Sequence, residues 1–235
     1  MGEGFCCALD ALVQQMVAAQ STRKNCVAIA ASAGGIPQLQ VLLRRIPADF
    51  NAPILIAQHS SPMQGGLPGI LARRCALPVF AAVEGVDVEP GRVYVAAAGE
   101  HVIVEGGKLK TLGTERRNFV RPSADLLFQS VAAEHGSGAI GVVLSGLGCD
   151  GAKGARAIKH AGGTVLTADQ SSSQHFGMPE KAIRTGCVDL ALPVTALADA
   201  LVALVQKPEV RAWFSVPACP EDRYSIVGSS LLLWT

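Results

Sequence analysis

The sequence predicts an α/β fold: a doubly wound, mostly parallel sheet with helices on both faces and a small antiparallel hairpin. Three observations carry this reading. Apolar residues make up 49% of the 235 residues, and the mean hydropathy is +0.34. They fall in short runs such as "APILIA" and "AIGVVL" that end in Gly, Pro, Ser or His, as strands covered on both faces do. Those runs alternate with segments of helical spacing, and none reaches the roughly 18 consecutive apolar residues that a membrane span requires.

Taken in order, Phe5, Leu9, Leu12, Val13, Met16 and Val17 lie on one side of a helix over 5–19, and the polar stretch "AQSTRKN" follows it. Residues 1–24 therefore read as a helical appendage, 25–207 as the domain and 208–235 as a tail without clear pattern. Within the domain, "CVAIAAS" is a strand and 37–45 a helix; "APILIAQH" is a strand and "GLPGILARRC" a helix. "LPVFAAV" and "RVYVAAA" are short strands, and "HVIVEGGKLKTL" is a hairpin turning at Gly106-Gly107. "SADLLFQSVAAEHG" is a helix capped by Ser123 and stopped by Gly136. "AIGVVLSG" is a strand, "GAKGARAIKHAGG" a helix closing at Gly162, and "TVLTAD" a strand. "MPEKAIRTG" is a short helix with Pro179 near its start, followed by the strand "VDLALP" and the helix "TALADALVALV".

Composition narrows the function. A net charge of +1 and 5% aromatics exclude a concentrated basic, stacking surface, so nucleic acid is not an expected partner. Local basic groups at Arg44-Arg45, Arg73-Arg74 and Arg116-Arg117 with Arg121 read as solvated helix ends and loops, with a mild field for an acidic partner as the alternative. The seven cysteines (Cys6, Cys7, Cys26, Cys75, Cys149, Cys187 and Cys219) form no C-x-x-C pair, which argues for reduced thiols and a cytoplasmic protein. The N-terminus "MGEGFCCALD" has neither the basic region of a signal peptide nor a myristoylation pattern. The histidines have no paired ligand spacing and no Walker lysine follows Gly34-Gly35, so neither metal nor organic cofactor is expected.

Ligands of a doubly wound sheet sit outside the carboxyl ends of its strands. Ser32 ends "VAIAAS", His59 ends "ILIAQH", and "GVVLSGLGCD" runs into Asp150. Ala30-x-Ser32-x-Gly34 is a G-x-S-x-G pattern with alanine first, a sharp strand-to-helix turn that lifts a hydroxyl above the sheet. The helix starting after Gly35 would aim free backbone N–H groups at the same spot, where they can hold an oxyanion. His59 would move the serine proton, and Asp150 would set the imidazole tautomer. Singly, the three residues also read as a cap, a surface histidine and a second cap. A competing signal is Gly146-Leu147-Gly148-Cys149-Asp150-Gly151, a literal G-x-G-x-x-G between strand and helix, with Asp169 about 20 residues on, as a nucleotide-binding oxidoreductase would have. Against it, Asp150 would repel a pyrophosphate at that helix start. Cys149 reads as a small filler of the turn rather than a nucleophile.

Several pieces resemble the catalytic domain of the CheB-type chemotaxis protein-glutamate methylesterases: "IAASAGG", "IAQHSSP", "EPGRVYVAAAGEHV", "RPSADLLFQSVA", "VVLSGLGCDGAKGARAIKHAGG" and "FGMPEKAI", in order over about 25–205. The resemblance implies hydrolysis of γ-glutamyl methyl esters on the cytoplasmic helices of chemoreceptors, and deamidation of receptor glutamines by the same acyl chemistry. It places the catalytic serine, histidine and aspartate on Ser32, His59 and Asp150, with Ala33, Gly34, Leu147 and Met178 as oxyanion and site-lining positions. Ala33 stands where the family usually has threonine, Leu147 where it has methionine, and Val120 where it has histidine. Family members usually carry a receiver domain ahead of this one; with about two dozen residues before the domain, no phosphorylation switch within this chain is expected, and control comes either from a separate regulatory or receiver protein or from none. A non-catalytic receptor-binding module is the remaining alternative.

Overall fold

The computed structural model describes residues 24–59, 66–113, 120–207 and 210. The proposed appendage over 1–24 (apart from Lys24) and most of the 208–235 tail lie outside them, as do Arg116 and Arg117. The strands are β1 (Cys26–Ala31), β2 (Ile54–Gln58), β3 (Val79–Ala81), β4 (Val93–Val95), β5 (His101–Glu105), β6 (Lys108–Leu112), β7 (Ala139–Val143), β8 (Thr164–Ala168) and β9 (Leu190–Leu192). The helices are α1 (Gly35–Arg45), α2 (Leu67–Ala72), α3 (Ala124–His135), α4 (Ala152–His160), α5 (Gly177–Arg184) and α6 (Val194–Gln206). Seven strands form one sheet in the order β3-β4-β2-β1-β7-β8-β9, every pairing parallel. The expected hairpin is β5–β6, antiparallel and apart from that sheet.

The chain leaves β1 toward β2 and later returns to pair β7 on the other side of β1. The direction of winding thus reverses around β1, which opens a crevice at its carboxyl end.

Strand residues alternate between two cores. Val27, Ile29, Ala31, Ile54, Ile56, Ile140 and Val142 pack with Leu39, Leu42 and Leu43 of α1, Leu71 of α2, and Leu197, Leu201 and Leu204 of α6. Ala28, Ala30, Leu55, Ala57 and Val143 face Leu127, Phe128 and Val131 of α3, Ile158 of α4, Met178 of α5 and Val102 and Val104 of the hairpin. Both faces are covered by packed side chains, which is why these strands carry almost no polar residues.

Small residues on the second face bring α3 and α4 close. A Cβ at Gly154 would lie 2.5 Å from Phe128 Cβ, and one at Gly141 would lie 3.2 Å from the Phe128 ring. This close approach later decides how the site is held.

Arg45 forms a bidentate pair with Asp199 of α6 at 2.9 and 3.0 Å. Both side chains are largely exposed, in keeping with a solvated helix end, and such pairs add little stability.

One expectation fails. Cys187 is buried and disulfide-bonded, so the thiols are not all reduced. Spacing along the chain carries no information about which Cα atoms come within bridging distance. Cys26 and Cys75 are free thiols, each with its pKa pushed up by burial.

Candidate active site

Parallel register sets Ala31 beside Gln58 and Ala30 beside Val143. The ladder continues one residue beyond the strands. His59 N–H donates to Ala31 O at 2.9 Å, and Ser32 N–H donates to Ser145 O at 2.9 Å. Ser32, His59 and the turn carrying Asp150 therefore leave adjacent strands at the same rim.

Ser32 sits in a turn that only small residues allow. Gly34 has φ +75°, and a Cβ there would meet Gln174 Cβ at 2.7 Å and Ser145 Oγ at 2.8 Å. Gly35 N–H donates to Ser32 O, and Ser145 Oγ donates to Ala33 O at 2.8 Å. Gln58, only 4% exposed, donates from Nε2 to both Ser32 O (3.0 Å) and His59 O (2.9 Å). One amide thus fastens the serine turn to the histidine backbone.

Among the described residues Ser32 Oγ makes no hydrogen bond, so the structure places the serine beside the histidine at the strand ends without joining them. The N–H groups of Ala33 and Gly34 likewise have no partner among the described residues, and they stand where α1 begins.

His59 and Asp150 are joined. His59 Nε2 lies 2.8 Å from Asp150 Oδ2. Three further groups donate to the same carboxylate: Ala124 N–H to Oδ2 at 2.6 Å, and Ser123 Oγ and Asp125 N–H to Oδ1 at 3.0 and 3.1 Å. The carboxylate therefore occupies the N-terminus of α3, where free N–H groups and the helix dipole favour an anion. Burial alone would raise the Asp150 pKa; the bonds from His59, Ala124 and Asp125 outweigh it and hold the acid below its ordinary value. Asp125, in the first turn of α3, behaves oppositely. Its pKa is raised by burial and by the nearby Asp150 charge, against the lowering effect of Gly151 and Gly154 N–H.

The lining residues divide. Met178 is buried beneath the turn, its N–H donating to Gly146 O at 2.8 Å, whereas Leu147 is 61% exposed at the rim. Gly146 is wedged between Met178 and Ser32: a Cβ there would lie 2.2 Å from Met178 Sδ and 2.7 Å from Ser32 Cβ. Gly146→Ala is expected to destabilise the protein by about 1–3 kcal/mol through overpacking. Thermal unfolding checks this; an unchanged Tm would mean that Met178 vacates the space freely.

Cys149 is not a filler. It is an exposed free thiol, because the turn bends through left-handed Gly148 and Gly151 and points 147–149 outward. The G-x-G-x-x-G match also loses its nucleotide reading. Gly151 and Gly154 N–H, at the start of α4, are both accepted by Asp125 Oδ1 at 2.8 Å, so a pyrophosphate would find these donors taken and two carboxylates beside it. Asp169 binds the hydroxyls of Ser171 and Ser172. No group of three or more His, Cys, Asp or Glu among the described residues could hold a metal ion.

Sequence reasoning passed over Gln58, Asp125 and the supports of the serine turn, Gln38 and Ser145. Gln58 had a readable signal, a polar amide in the last position of an otherwise apolar strand. Gln38, on α1, accepts from Ser145 N–H at 2.6 Å and donates to Ser172 O at 2.7 Å; its position in a helix looks ordinary until the loop over 169–176 folds onto it.

Fold and rim together define a class: a parallel α/β protein that sets a serine, a histidine and an ionised aspartate at the strand ends flanking its winding reversal. The CheB methylesterase family model matches residues 27–201, and the chain belongs to that family. It is 39% identical over 197 residues to "Protein-glutamate methylesterase/protein-glutamine glutaminase 5" of Myxococcus xanthus (strain DK1622), covering 80% of this chain and 55% of that one. It is 41% identical over 188 residues to the protein-glutamate methylesterase/protein-glutamine glutaminase of Moorella thermoacetica, covering 76% and 44%. The crystal structure of the Thermotoga maritima CheB methylesterase catalytic domain superposes with a TM-score of 0.75 at 33% identity, over 77% of this chain and 99% of that one. The chain thus spans about half the length of the curated relatives it matches and nearly all of a solved catalytic domain.

Proposed function

We propose that this domain hydrolyses γ-glutamyl methyl esters on the cytoplasmic helices of chemoreceptors, and deamidates receptor glutamines by the same route, through a Ser32 acyl-enzyme. The observation that carries the reading is the His59–Asp150 contact of 2.8 Å, beside Ser32 at the strand ends, in a chain of this family. The relatives' names, methylesterase and glutaminase, support the two substrates.

On this reading the proton moves in one direction. Asp150, its carboxyl held below the ordinary carboxylate range, accepts from His59 Nε2–H, which leaves the Nδ1 lone pair as the base. Ser32 Oγ attacks the ester carbonyl while Nδ1 accepts its proton. The oxyanion forms beside the unpartnered N–H groups of Ala33 and Gly34. Collapse expels methanol, which takes the proton from Nδ1; ammonia leaves in the same way from glutamine. Water, deprotonated by the same nitrogen, then releases glutamate and free Ser32. Leu147, exposed at the rim, offers an apolar contact to the receptor helix. The site of action is the cytoplasmic face where the receptor helices lie.

Two measurements test the reading. A fluorophosphonate should label the protein once, on Ser32 by peptide mass mapping, and the unlabelled protein should release methanol from methylated receptor fragments. Labelling elsewhere, or no methanol from any methylated receptor tested, overturns it.

A further inference from the structure

The two carboxylates beneath His59 are exchanged between two helices. Asp150 lies just before α4 yet accepts from the start of α3 (Ser123 Oγ, Ala124 N–H and Asp125 N–H). Asp125 lies in α3 yet accepts, with a single oxygen, from the start of α4 (Gly151 N–H and Gly154 N–H, each at 2.8 Å). Each acid caps the other acid's helix. Both are buried, at 3% and 6% exposure, and the tight approach of Gly154 to Phe128 makes the exchange reachable.

The outer residues of the turn that carries Asp150, 147–149, are exposed; the backbone of 147–148 lies against Gly177 of α5, where a Cβ would be 3.4 Å from Leu147 Cα and Gly148 N, and Ala152 N–H donates to Cys149 O at 3.2 Å. Gly148 and Gly151 both have φ near +90°, and Gly151 is buried, a Cβ there meeting Ala30, Val143 and Ala124 at 3.5–3.8 Å. Such contact is non-directional. The two Asp125 bonds add direction: they tie the residue directly after Asp150 to the same helix whose N–H groups orient the Asp150 carboxylate.

We infer that Asp125 is a positioning residue for the reaction: by capping α4 it sets the backbone of Asp150, and through Asp150 the orientation of the His59 ring. The inference rests on the esterase reading for its kinetic consequence, though not for its structural one. The function of Asp125 is geometric, so an acceptor oxygen in the same place serves as well as a charge. Asp125→Asn keeps that oxygen and turns its amide toward a carboxylate that can accept. Asp125→Ala removes it and leaves two buried N–H groups unpaired.

The test combines kinetics with ¹⁵N-edited NMR of the His59 Nε2–H proton, which its bond to Asp150 shields from exchange. Asp125→Ala is expected to lower kcat for methyl ester hydrolysis roughly 10- to 100-fold, with KM changed by less than about threefold, because the reacting groups are displaced while the substrate surface is not. The ring proton should be lost to exchange. Asp125→Asn should recover kcat to within about threefold of the parent and restore the ring proton. Asp125→Ser, whose oxygen is too short to span both N–H groups, stands in if the alanine variant fails to fold and carries the alanine expectation.

An alanine or serine variant with parental kcat and an intact ring proton overturns the inference. So does an asparagine variant as impaired as alanine in both readouts. If the parent protein releases no methanol, the esterase reading falls, while the ring proton still decides whether Asp125 holds Asp150.

Discussion

Ser32→Ala is expected to lower methanol release from methylated receptor by on the order of 10⁴-fold or more while leaving stability within about 0.5 kcal/mol. The two halves of that expectation have separate origins. Activity falls because no other hydroxyl or thiol takes its place: Cys149 points outward from the turn, and Ser145 Oγ is committed to Ala33 O and to the backbone of His175. Stability holds because Ser32 Oγ bonds nothing among the described residues, and what packs there is its Cβ, against the Gly146 position, which alanine retains. The backbone bonds of the turn, Ser32 N–H to Ser145 O and Gly35 N–H to Ser32 O, are also unchanged. Methanol release by gas chromatography and urea unfolding check the two halves. A variant retaining a tenth of parental activity would remove Ser32 from the mechanism, and one that unfolds far more readily would make the serine structural.

The contrast between what the sequence discloses and what it hides follows the range of the interactions. β1, β2 and β7 are legible because each is an apolar run cut short, and the residue that cuts it (Ser32, His59 or the glycine turn before Asp150) is displayed by the run itself. The hairpin is legible from Gly106-Gly107, and α3 from Ser123 and Gly136, since turns and caps are local chemistry. That Ser32 and His59 stand side by side follows once β1 and β2 are taken as neighbours, and parallel register supplies the rest. The support of Asp150 is different. Beside His59 and the Ser123 hydroxyl, its donors are the backbone N–H groups of Ala124 and Asp125, which have no signature in the sequence, and they reach it where Gly141 and Gly154 let Phe128 and α4 close in. Asp125 looks like an ordinary acid in a first helical turn; its capping of α4 is visible only in three dimensions. Cys149 and Cys187 were misjudged for the same reason. Exposure of the first depends on two left-handed glycines and bridging of the second on distance, and neither can be read from neighbours in the chain.

Asp150→Asn is expected to combine a large loss of activity with a changed acid profile. Both carboxylate oxygens of Asp150 face donors: Ala124 N–H and His59 at Oδ2, Ser123 Oγ and Asp125 N–H at Oδ1. An asparagine must set its NH₂ against one of these pairs. If it faces Oδ1's partners, the Ser123 hydroxyl can turn and accept, but Asp125 N–H is stranded. If it faces Oδ2's partners, Ala124 N–H is stranded and His59 must accept at Nε2, which places its proton on Nδ1 and removes the base. Either placement leaves a buried N–H unpaired, at a cost of about 1–3 kcal/mol. Loss of the charge that stabilises the imidazolium, with or without the tautomer change, should lower kcat by on the order of 10³- to 10⁴-fold. The acid profile follows from the direction of the shift. The folded-state pKa of Asp150 lies below its unfolded value of about 3.9, so the stability it contributes is present above that value and is lost as pH falls through the folded pKa. Asp125 runs the other way: its raised pKa means that its charged form is disfavoured in the fold, and acidification relieves that cost. In the parent the Asp125 gain comes as pH falls from its raised pKa toward about 4, and the Asp150 loss comes below about pH 4; in the asparagine variant only the Asp125 contribution remains. The variant should therefore lose less stability than the parent, relative to neutral pH, when both are unfolded by urea between about pH 5 and pH 3. Identical pH dependence in the two proteins would show that Asp150 is not held as the ionised partner of His59, and the proton route through Nδ1 would go with it.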